Sequence, residues 1–127
     1  MNDWVLLVVG DVFFSAKLRD TLKHVGIPVA RSARTDSEVA AALGGDSPRL
    51  VIVDLTIKTL DASALVARLK EDGTTRRVPI VAFAGHVATE ALAAAQAAGA
   101  DRVVTNGQIA GNLPGILADL GLLSDRN

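Results

Sequence analysis

Five short apolar runs recur along the chain: "WVLLVV" (4–9), "IPVAR" (27–31), "LVIVD" (50–54), "VPIVAF" (78–83) and "DRVVT" (101–105). Each is near-continuous rather than alternating, as in strands covered on both faces. The segments between them carry apolar residues at helical spacing, so strand and helix must alternate. Such alternation admits few architectures: right-handed βαβ units build a parallel sheet with helices on both faces. The expected class is α/β, with five strands and five helices.

The helices have their own punctuation. Phe14, Leu18, Leu22 and Val25 line one side of a first helix that Gly26 ends. Thr35-x-x-Glu38 reads as a capping box opening a second, stopped by Gly44-Gly45. Leu65, Val66 and Leu69 mark a third, preceded or capped by Asp61 and closed by Asp72-Gly73. "TEALAAAQAAG" (89–99) is an alanine-rich fourth, with Ala91, Ala94, Ala95 and Ala98 toward the sheet and Glu90, Ala93 and Ala97 outward. A fifth follows Ile109, Leu113, Ile116, Leu117 and Leu120; Gly111, Pro114 and Gly115 predict a late start near Asn112 and a short helix.

Composition removes several function classes. At 127 residues the chain is expected to form one domain, spanning 1–127. No apolar run approaches the roughly 18 residues a membrane span requires. Without cysteine there is no disulfide framework or thiolate metal site, which suits the cytoplasm. Thirteen basic residues against fourteen acidic ones leave a net charge of −1, unlike a nucleic-acid footprint. The Arg76-Arg77 pair sits near Glu71 and Asp72 and reads as a solvated turn.

Open parallel sheets place their sites outside the carboxyl ends of the strands, where strand order reverses. Asp54 ends the third run, Gly10 and Asp11 follow the first, Ala84 and Gly85 the fourth, and Thr105 and Asn106 the fifth. An acid ending a strand is ordinarily a loop cap, and residue type alone gives Asp54 no more than that. His24, near the end of the first helix, suits that helix's negative terminus.

From Val5 to about Leu120 the chain resembles the receiver domain of two-component response regulators, of the chemotaxis-regulator type. The resemblance is carried by "LVIVDLTIKTLDA", "VPIVAFAG" and "AAAQAAGADRVVTNG". It implies a flavodoxin-like sheet in the order 2-1-3-4-5, and a signalling module rather than an enzyme. It also implies that Asp54 holds the position that accepts a phosphoryl group from a histidine kinase. The divalent ion of that chemistry, usually Mg²⁺, would be held by Asp11, Asp54 and the backbone carbonyl of Thr56.

The same alignment exposes departures. Gly10 replaces one of the paired acids, Ala84 the hydroxyl residue ending the fourth strand, and Asn106 the lysine ending the fifth. The loss of a charge-assisted hydrogen bond worth about 1.5–3 kcal/mol weakens phosphoryl transfer substantially. Gly107 replaces a proline that takes a cis bond, so a trans loop is expected there, because a cis bond without proline costs about 2.5–4 kcal/mol. Ala84 and Val103 stand where a hydroxyl and an aromatic ring would couple phosphorylation to the face of the fourth helix, fifth strand and fifth helix. Lys58 is either an exposed loop lysine or a built-in cation for Asp54 and Asp11, and His86 either a polar helix start or a donor at the pocket rim.

Three functions follow. The first is a receiver-like module with a degenerate phosphorylation site, acting by protein–protein contact with a histidine kinase or another signalling protein, or as a homodimer through the fourth helix, fifth strand and fifth helix. The second is a working phosphoacceptor at Asp54 with weakened Mg²⁺ dependence. The third binds a small ligand at the strand ends, where Gly10, Ala84, Gly85 and Gly107 leave room.

Overall fold

The computed structural model describes residues 3–123; the outermost residues of the expected 1–127 domain lie outside that range. Strands β1 (Trp4–Val8), β2 (Val29–Ser32), β3 (Leu50–Asp54), β4 (Ile80–Ala84) and β5 (Arg102–Thr105) alternate with helices α1 (Val12–His24), α2 (Asp36–Ala42), α3 (Ala62–Glu71), α4 (Thr89–Ala98) and α5 (Asn106–Asp119). All strand pairs are parallel, in the order β2-β1-β3-β4-β5. The order reverses between β1 and β3, where Val8 pairs with Val53.

Alternate residues of the central strands supply two cores. Leu6, Val8, Val51, Val53, Ile80 and Ala82 meet Val39 of α2, Leu65, Val66 and Leu69 of α3, and Ala95 of α4. Val5, Leu7, Leu50, Ile52, Val81 and Phe83 meet Leu18 and Leu22 of α1 and Ile109, Leu113, Ile116 and Leu117 of α5. Both faces are therefore apolar in β1, β3 and β4, apart from Asp54 at the end of β3, and all residues of these strands are buried. The edge strand β2 is mostly exposed, contrary to the reading of its run as covered on both faces.

Backbone hydrogen bonding moves several boundaries. Pro79 has no N–H and Val78 donates to Thr75, so β4 starts at Ile80 rather than 78. β2 starts after Pro28, because Ile27 donates back to Leu22 and closes α1, with Gly26 at φ +91° in the turn. Asp61 caps α3 by accepting from the Ala64 N–H at 3.0 Å. Thr35 caps α2 as expected, but Glu38 reaches past it to the N–H of Arg34 at 2.7 Å, and the helix ends at Ala42 before the glycine pair.

The largest correction concerns α5, which starts at Asn106 and is two helical segments joined at a kink at Asn112, so the expected start near Asn112 marks the kink and not the beginning of the element. A reciprocal box starts it early: Thr105 accepts from the Gln108 N–H at 3.1 Å, and Gln108 accepts from the Thr105 N–H at 2.8 Å. Pro114 still acts, since its ring and missing N–H disturb the preceding turn, and Asn112 leaves helical geometry at φ −143°, ψ 32°. Asn112 folds over Gly115, where a methyl would meet its carboxamide at 2.5 Å. On α4 the inward stripe is Ala91, Leu92, Ala95 and Ala98, so Ala94 joins Ala93 and Ala97 on the exposed side. That phase follows from packing against α3 as well as against β4 and β5.

Candidate functional site at the carboxyl ends of the central strands

Asp54 ends β3 at the reversal point and is 8% exposed. Its Oδ1 accepts from the Thr56 N–H at 2.9 Å and the Thr56 hydroxyl at 2.8 Å. Its Oδ2 accepts from the Gly10 N–H at 3.2 Å, a bond that spans the crevice between β1 and β3. Both oxygens are thus engaged by the protein. Asp11 is the N-cap of α1: its Oδ1 accepts from the N–H groups of Phe13 at 2.8 Å and Phe14 at 3.1 Å. Such a cap satisfies orphan amides at the helix start and suits an anionic side chain.

Two clefts flank this carboxylate. One, of about 350 Å³, is lined by Gly10, Asp11, Arg34, Asp54, Thr56, Ile57, Lys58 and Thr59. The other, of about 150 Å³, is lined by Asp11, Phe14, Asp54, Thr56, Phe83 and Asn106. The rings of Phe14 and Phe83, both in its lining, lie 5.2 Å apart. Asp11, Asp54 and Thr56 therefore meet, Lys58 stands in the first cleft and Asn106 in the second. His86 is exposed and lines neither. Ala84 is buried at the end of β4, offering no polar atom beyond its backbone.

Arg34 was not among the residues expected in the site. It follows β2, whose carboxyl end obeys the same address rule as the other strands, so the signal was available. Its Nε donates to the carbonyl of Val9 at 3.4 Å, and its own carbonyl accepts from the Thr59 hydroxyl.

The donor set is a poor fit for a tightly held divalent ion. Mg²⁺ demands near-octahedral oxygen ligands. Here N–H and O–H groups already engage both Asp54 oxygens and one Asp11 oxygen. Gly10 adds no ligand, and no cluster of three or more His, Asp or Glu residues able to hold a metal occurs among the described residues. The peptide preceding Gly107 is trans, as is every described peptide bond.

No protein-family model matches the sequence, and no curated protein matches it either. Solved structures do. A putative response regulator from Chloroflexus aurantiacus superposes with a TM-score of 0.83 at 20% identity, covering 94% of this chain and 98% of that one. The receiver domain of NtrX from Brucella abortus gives 0.79 at 26% identity, with 93% and 97% covered. The Mn²⁺-bound form of the response regulator Rcp1 gives 0.77 at 18% identity, with 98% and 96% covered. No described helix is long and apolar enough to cross a membrane. Strand order, helix placement and these superpositions agree: the chain has the flavodoxin-like fold of response-regulator receiver domains.

Proposed function

We propose that the chain is a receiver-like signalling module of the cytoplasm, not an enzyme, whose phosphorylation site has degenerated and which acts through protein–protein contact. The observation that carries this reading is that protein donors engage both Asp54 oxygens while the residues around it lack the usual polar partners. Thr56 and Gly10 engage its oxygens, while Gly10, Ala84 and Asn106 supply no acid, hydroxyl or ammonium around it. A phosphoryl group on one Asp54 oxygen would compete with the bonds to that oxygen and would find no charged partner at positions 84 and 106. Without a hydroxyl at 84 or a ring at 103, it would also lack differential contacts to shift a conformation.

The partner is another signalling protein, of the histidine-kinase class or downstream of it. The docking face we assign is α4, β5 and α5, where Ala93, Ala94 and Ala97 lie exposed beside Glu90 and Gln96. The Arg102–Asp119 ion pair at 3.3 Å links β5 and α5 on that face.

The test is direct. Amide spectra recorded with acetyl phosphate or beryllofluoride and millimolar Mg²⁺ should stay unchanged around Asp54, and intact mass should show no phosphoryl adduct. A Mg²⁺-dependent shift at Asp54 and Thr56 would instead establish the second reading, a phosphoacceptor. That reading draws support from Asp54 lining two open clefts, within reach of a small donor.

A further inference from the structure

We infer that Arg34 is the resident cation of the Asp54 cleft, coupled to the carboxylate through the Val9–Gly10 peptide and keeping a divalent ion out. The inference rests on the proposed loss of phosphoryl chemistry and names the group that has taken over the charge.

One peptide unit links the two ions. Its carbonyl, on Val9, accepts from the Arg34 Nε at 3.4 Å, and its N–H, on Gly10, donates to Asp54 Oδ2 at 3.2 Å. A peptide bonded at both ends is polarised, and each bond strengthens the other. Arg34 is held from two further directions: its N–H donates to Glu38 Oε1 at 2.7 Å, and the Thr59 hydroxyl donates to its carbonyl. The turns after β1, β2 and β3 are therefore tied together through the backbone of Arg34 and its Nε, and Arg34 itself is half-buried.

No ion pair within 4.0 Å joins Arg34 or Lys58 to an acid among the described residues, whereas Arg68, Lys70 and Arg102 are each paired. A guanidinium stays charged throughout the accessible pH range. Lys58 adds an exposed ammonium to the same cleft. A divalent ion beside Asp54 would meet the like charges of Arg34 and Lys58 lining the same cleft, and binding weakened by about tenfold is expected.

The test uses Mn²⁺ alone as a paramagnetic probe on the full chain, comparing wild type with Arg34→Gln, Arg34→Ala and Arg34→Lys after thermal melting has shown each to be folded. Arg34→Gln retains a donor for the Val9 carbonyl without the charge, so it carries the test should Arg34→Ala unfold. The amides of Gly10, Asp54 and Thr56 should broaden in the Gln and Ala variants at Mn²⁺ concentrations about tenfold below those needed in wild type, with Arg34→Lys behaving as wild type. Broadening at equal concentrations in all four proteins overturns the inference, and so does its absence from all of them. A wild-type response to beryllofluoride sinks the functional reading instead, so the two failures are distinguishable.

Discussion

Asp54 and Asp72 use the same three-residue device with different outcomes. Each is followed two residues later by a threonine whose N–H and hydroxyl both bond one carboxylate oxygen, at 2.9 and 2.8 Å for Thr56 and at 2.8 and 2.7 Å for Thr74. Asp72 lies in the exposed turn after α3, and among the described residues its carboxylate accepts only from Thr74. Asp54 is buried at the sheet's reversal point and takes a third bond from Gly10, whose peptide also contacts Arg34. The local Asp-x-Thr turn is therefore not the site. What separates the two is long-range: a partner 44 residues away in sequence and a cleft with two cations.

The comparison breaks most visibly if the chemistry can be restored at one position and not at the other. Combining Gly10→Asp, Ala84→Ser and Asn106→Lys should raise the beryllofluoride and Mg²⁺ response at Asp54 by roughly one to two orders of magnitude, with none at Asp72. Space permits the first change, since a Cβ at position 10 would meet Ile57 Cγ1 at 3.5 Å and Asp54 Oδ2 at 3.7 Å, ordinary contacts. Amide spectra of the triple variant check this, and a spectrum as silent as wild type would place the defect elsewhere.

Stability should separate the aspartates next. Asp54→Ala leaves the Gly10 N–H and Thr56 groups without their acceptor, at a cost of about 1–3 kcal/mol. Asp72→Ala, in a solvated turn, should cost about 0.5 kcal/mol or less. Urea melts of both variants measure the gap, and equal losses would mean that burial adds nothing to the shared turn.

The smallest effect is in acid. The Thr74 N–H, and then its hydroxyl, hold the Asp72 carboxyl below its ordinary pKa. A depressed folded value contributes stability that is complete above the unfolded pKa and is lost as pH falls through the folded one. Replacing Asp72 by Asn should therefore flatten the stability profile slightly below about pH 4 and leave it unchanged near neutrality. Stability measured against pH for both proteins decides it, and an unaltered acid limb would contradict the assignment.

Much of the fold was legible because its signals are local and repeated. The apolar runs, the Asp61 cap, the Gly26 turn and the alanine-rich α4 each follow from a few neighbouring residues. The misreadings came where two local signals compete. At α5, Gly111, Pro114 and Gly115 argue for a late start, yet the Thr105–Gln108 box and the burial of Ile109 begin the helix at Asn106 and confine the damage to Asn112. At α4, alanine looks alike on every face, so only packing against α3 sets which ones face out.

The sequence by itself determined the alternation of strand and helix, the position of Asp54 at a strand end, and the absence of acid, hydroxyl and ammonium at 10, 84 and 106. Side-chain type and short-range spacing are sufficient for those. Only the tertiary structure decided that Asp54 is held by Gly10, that Asp11 is engaged as a helix cap, and that Arg34 reaches the peptide joining Val9 to Gly10. Strands β1, β2 and β3 bring those groups together by lying side by side, and hydrogen bonds a few ångströms long form between residues that are 25 and 44 positions apart in the chain.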